Sequence, residues 1–69
     1  MENLIIDTND WWTELEIESI IKANGGYTSP FVIGWVIEPN SLKIMDAVKA
    51  AYPLGRWIRD SENVLHYSV

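Results

Sequence analysis

PFVIGWVIEPNSLKIMDAVKAAY, running from Pro30 to Tyr52, holds both kinds of secondary structure in one short segment. Phe31, Val32, Ile33, Val36 and Ile37 are strand formers, so residues 31–37 predict a strand, and Pro39 ends it. Apolar residues on both of its faces place that strand centrally in a sheet. Gly34 in its middle implies a bulge or the close approach of another group, such as a tryptophan ring. Asn40 or Ser41 then caps a helix over residues 42–52, with Met45, Val48 and Tyr52 on one stripe and Ile44, Ala47 and Ala51 beside it. Pro53 stops it.

Working outward, Leu4-Ile5-Ile6 reads as a brief edge strand or pinned arm, ended by the turn formers Asp7, Thr8, Asn9 and Asp10. Two templates compete for the next segment. As a strand, Thr13 to Ser19 alternates, but it would align Glu14, Glu16 and Glu18 on one side, and Glu is a poor strand former. As a helix over residues 13–24, Thr13 and Glu16 make a capping box, Glu18 and Lys22 an i,i+4 pair, and Ile17, Ile20 and Ile21 share a face. Asn24-Gly25-Gly26 supplies the stop, so the helix is preferred. Beyond Pro53, residues 56–59 and 64–69 form a hairpin around a turn at residues 60–63. These elements predict an α+β fold in a single compact domain spanning residues 1–69. It has a small three- or four-stranded, mainly antiparallel sheet with two helices packed on one face.

A chain of 69 residues has room for one core, and such short chains bury only about 60% of their unfolded surface. Without cysteine there is neither a disulfide framework nor a thiolate metal site, and His66 is the single histidine. Packing must therefore supply the stability, and a homodimer is one way to enlarge the core. Trp35 and Trp57 sit inside apolar runs and read as core. Trp11 and Trp12 are adjacent, so a helix or strand cannot bury both, and one of them is expected near the surface. No apolar run reaches transmembrane length, and Met1-Glu2-Asn3 lacks the basic start of a secretory signal, which together predict a cytoplasmic protein without a membrane partner.

The residues name no reaction. Acid–base catalysis needs converging carboxylates or a partnered His, and His66 reads as a surface or edge residue of the last strand. Ser61 and Ser68 lack a nucleophile turn. Asp7-Thr8-Asn9-Asp10 begins like a calcium loop but has Trp11 where a fifth-position ligand is wanted and Trp12 where glycine is needed. Gly25-Gly26 lacks the phosphate-loop pattern. The expectation is therefore a protein that is not an enzyme, with no cofactor, no metal and no catalytic residue.

Charge is more informative. The net charge is -5, but residues 1–38 carry -6 and residues 39–69 carry +1. Six carboxylates lie between Glu2 and Glu18 with no base among them. On a helix, Asp10, Glu14 and Glu18 form an i,i+4 stripe, extended by Asp7 if the helix starts early, and Trp11 and Trp12 stand beside it. Asp10, Trp11, Trp12, Glu14 and Glu18 are the expected partner-binding residues. The rings would anchor, and the carboxylates would steer the chain toward a basic groove. In size, acidity and lack of cysteine the chain is similar to phage-encoded inhibitors of host defence, including anti-CRISPR proteins and DNA mimics. That likeness implies a non-catalytic protein that binds and blocks a larger partner, one with a basic nucleic-acid-binding surface. The alternative is a winged-helix-like DNA-binding regulator that uses helix 42–52 and the hairpin over residues 56–69, with Lys43, Lys49, Arg56 and Arg59 as its bases.

Overall fold

The computed structural model describes residues 2–69. Strand β1 (Asn3–Asp7) leads through a tight connection into helix α1 (Trp11–Ala23). The N-cap is Asp10 rather than Thr13, so the helix begins two residues before the expected position. The Asp10 backbone is extended, and its carboxylate accepts from the Trp12 N–H at 3.2 Å and from the Thr13 hydroxyl at 2.7 Å. Thr13 is thus the donor to the cap and not the cap itself. Gly25 ends the helix at φ +99°, and the bonds Gly26 N–H to Ile21 C=O and Gly25 N–H to Lys22 C=O form a Schellman closure.

Two-residue strands follow, β2 (Tyr27–Thr28) and β3 (Trp35–Val36). The seven-residue strand expected over residues 31–37 is therefore reduced to its last third, and Gly34 is the cause. At φ +81° it leads the chain out of the ladder, and a Cβ there would lie 2.5 Å from the Leu4 carbonyl oxygen. The close neighbour is the β1 backbone rather than a tryptophan ring. Phe31 and Ile33, expected in a central strand, are 92% and 78% exposed in the connecting loop.

Helix α2 (Ser41–Ala51) has Asn40 at its N-cap position, without a side-chain cap bond, and Tyr52 at the C-cap, so it both starts and ends one residue earlier than expected. Strands β4 (Arg56–Arg59) and β5 (Leu65–Ser68) make the expected hairpin. In its turn the Asp60 carboxylate accepts from the N–H groups of Glu62 and Val64, and Asn63 adopts φ +63°.

The sheet has five strands in the order β2-β3-β1-β5-β4 and is mixed: β1 and β5 run parallel, and the other pairings are antiparallel. Two features differ from expectation. The extra strand is β2, whose two residues are too few to leave a periodic signal. β1 is the central strand rather than an edge or arm, because fully buried Leu4 needs neighbours on both sides.

Both helices cover one face. Ile17 and Ile21 from α1 and Ile44 and Val48 from α2 pack with Leu4, Ile37, Leu65 and Tyr67 in one cluster, and Trp35, Met45, Tyr52 and Trp57 border it. Trp57 lies on Tyr67 with ring centroids 4.3 Å apart. The Tyr67 hydroxyl donates to the Tyr52 carbonyl, and Gly55 is buried directly against the Tyr67 ring, where a side chain has no room. Because strand side chains alternate, Ile5, Asp7, His66 and Ser68 turn to the opposite face, which carries no helix.

Candidate partner-binding surface

α1 divides into two faces by its 3.6-residue period. Ile17 and Ile21 are buried and Ile20 half-buried, so Trp11, Trp12, Leu15 and Ser19 turn outward. Both tryptophans, not one, are at the surface, 65% and 61% exposed, because the cap at Asp10 puts them in the first turn, ahead of the first buried position. Their rings meet edge to face, with centroids 5.1 Å apart. Two large, rigid, apolar surfaces thus stand together in water.

The carboxylates expected beside them have separate fates. Asp10 is occupied as the cap, and the bonds from the Thr13 hydroxyl and the Trp12 N–H hold its carboxyl below the ordinary carboxylate range. Asp7 belongs to β1 and bonds His66, so it does not extend the helical stripe. Glu16 accepts from the Tyr52 hydroxyl, which ties α1 to α2 and raises the Tyr52 phenol above its usual value. Glu14 and Glu18 remain. Among the described residues neither enters a side-chain hydrogen bond or ion pair, the expected Glu18–Lys22 pair included. Together with Ile5, Ile6 and Gly34 they line a groove of about 160 Å³. A second concavity, of about 200 Å³, lies among Trp12, Leu15, Glu16 and Ser19. Of the five expected contact residues, Glu14 and Glu18 line the first concavity, Trp12 lines the second with Trp11 exposed against it, and Asp10 builds the helix start that presents them.

The basic residues are less available. Lys49 donates to the Gly55 carbonyl at 2.6 Å and lies 5.9 Å from the centre of the Tyr67 ring. Arg59 pairs with Glu2 at 2.7 Å and donates to the Asn63 carbonyl. Lys43 and Arg56 are exposed.

His66 lies on an inner strand, neither at the sheet edge nor alone. Its Nδ1 is 2.8 Å from an Asp7 oxygen and its Nε2 is 2.8 Å from an Asp60 oxygen. The bond to Asp60 raises the His66 pKa most, burial opposes it, and Asp7 adds to the rise. Asp60 is correspondingly lowered, chiefly by His66. With both ring nitrogens bonded to carboxylates, the imidazole favours its doubly protonated form and has no nitrogen left for a substrate. The sequence holds no signal for this cluster, since Asp7 and His66 meet only because β1 lies beside β5.

Compared with protein-family models, curated proteins and solved structures, the chain shows no match.

Proposed function

We propose that this chain is a non-catalytic binding protein that docks the exposed face of α1 onto a basic surface of a larger protein and blocks it. The observation that carries the reading is the placement of Trp11 and Trp12, in edge-to-face contact and exposed, on the same helix as Glu14 and Glu18. Two adjacent exposed indoles cost solvation free energy in the isolated chain, and tryptophan is the residue type that most often dominates interface energetics. Carboxylates at the rim would steer a basic partner and set its orientation. Nucleic-acid-handling machinery presents such basic surfaces, so a protein of that class, as in phage inhibition of host defence, is the partner we favour.

The test starts from the partner captured by the tagged chain in lysate of its native host. Its affinity is then measured for the wild type, for Trp11→Ala and for the double reversal Glu14→Lys with Glu18→Lys. Asp10 is left intact because it caps the helix. We expect Trp11→Ala to weaken binding by roughly 30-fold or more, the scale of an interface hot spot. The charge reversal should slow association, with thermal melting close to wild type for both variants. Wild-type affinity in both would refute the reading.

A further inference from the structure

The sheet has a gap beside β1. β3 pairs with β1 only at Asn3 and Leu4, because Gly34 leads the chain away before the ladder reaches Ile6. The Glu2 carbonyl accepts from Ile37 N–H on the β3 side, whereas the Asp7 carbonyl accepts from Val69 N–H on the β5 side. Peptide groups alternate along a strand, so Ile6 turns its N–H and C=O toward the β3 side, where no strand follows. Ile6 lines the same groove as Glu14, Glu18 and Ile33.

We propose that this gap receives an extended, basic segment of the partner protein as an added strand beside β1. The proposal rests on the reading of α1 as the docking face and names how the partner enters it. Main-chain bonds to Ile6 would set the register, as in strand addition to other sheet edges. The side chain opposite Ile6 would point to the helix-covered face, toward Glu14 and Glu18, which selects Lys or Arg there. Its two neighbours would point to the other face, beside Ile5 and Asp7, where β-branched residues suit the extended backbone. An alternating basic and β-branched segment fits both requirements. A free cation would satisfy only the carboxylates.

The experiment uses the ¹⁵N-labelled chain and the peptide acetyl-Thr-Lys-Val-Lys-Val-Lys-Thr-amide. Two controls accompany it, one N-methylated at the central lysine and one with every Lys replaced by Glu. At saturating peptide we expect resonance shifts over Ile5 to Asp7 and exchange of the Ile6 amide slowed about tenfold or more. The N-methylated and Glu peptides should give neither. Glu14→Gln with Glu18→Gln should weaken the peptide about fivefold, as expected for two partly screened charge contacts. Unchanged Ile6 exchange, no binding at millimolar peptide, or equal binding of the N-methylated peptide would each overturn strand addition. Shifts confined to α1 that vanish in the Gln variant would leave the acidic docking face standing while strand addition falls. Full partner affinity in the Lys reversal would instead remove the docking face, whatever Ile6 does.

Discussion

At the scale of single residues, His66 shows what the fold adds to a side chain. It joins β1, through Asp7, to the turn of the β4–β5 hairpin, through Asp60, on the face without helices. Arg56 lies on the same face, level with Ser68 and Asp7. The folded state raises the His66 pKa above 6.5, so folding favours its charged form. That contribution is fully present below pH 6.5 and is lost as pH rises through the raised value. Asp60, lowered from 3.8, contributes above that value and loses its contribution as pH falls through its folded one. The cluster therefore stabilises most between those limits. Melting of the wild type and of His66→Asn should differ most near about pH 5.5, and the gap should narrow by about pH 9. A difference constant across that range would contradict the assignment.

Among the elements, α1 and β3 illustrate opposite outcomes. The helix was legible because its signals agree: an apolar stripe at Ile17, Ile20 and Ile21, an Asn-Gly-Gly stop, and turn formers ahead of it. Only its start was misplaced, since Thr13 and Asp10 both suit a cap and their mutual bond decides between them. Asp10→Ala should lower the melting temperature by circular dichroism, whereas Asp10→Asn should keep most of it, because an amide oxygen also accepts the Trp12 N–H. Both variants should bind the partner alike once folded, since the Asp10 carboxylate is engaged in the cap. β3 was overread. Phe31 to Ile37 has strand composition throughout, but composition does not report that Gly34 adopts positive φ against the Leu4 carbonyl. The exposed Phe31 and Ile33 follow from that single turn.

For the molecule as a whole, the parallel pairing of β1 with β5 is the governing fact. It sets Leu4 beside Leu65 and Ile6 beside Tyr67, so the centre of the sheet joins the two ends of the chain. Three core side chains, Leu4, Leu65 and Tyr67, are buried by that pairing and the helices above it. A domain this small has little stability to spare. Deleting residues 64–69 should therefore abolish the cooperative thermal transition and collapse the amide dispersion in NMR, although both helices and β4 remain in the sequence. A cooperative melt in the truncated chain would show the core to be less dependent on β5 than this topology implies. By itself the sequence determined what is local: two helices and their ends to within two residues, the β4–β5 hairpin, the α+β class, and the clustering of acid and tryptophan on α1. These follow from periodicity, turn chemistry and charge, which act over a few residues. Only the tertiary structure decided that β1 is central, that the sheet is mixed and five-stranded, that Asp7 and Asp60 enclose His66, and that Ile6 lines one groove with Glu14 and Glu18. Each of these depends on contacts between residues far apart in the chain, and side-chain pattern does not encode which distant strands will pair.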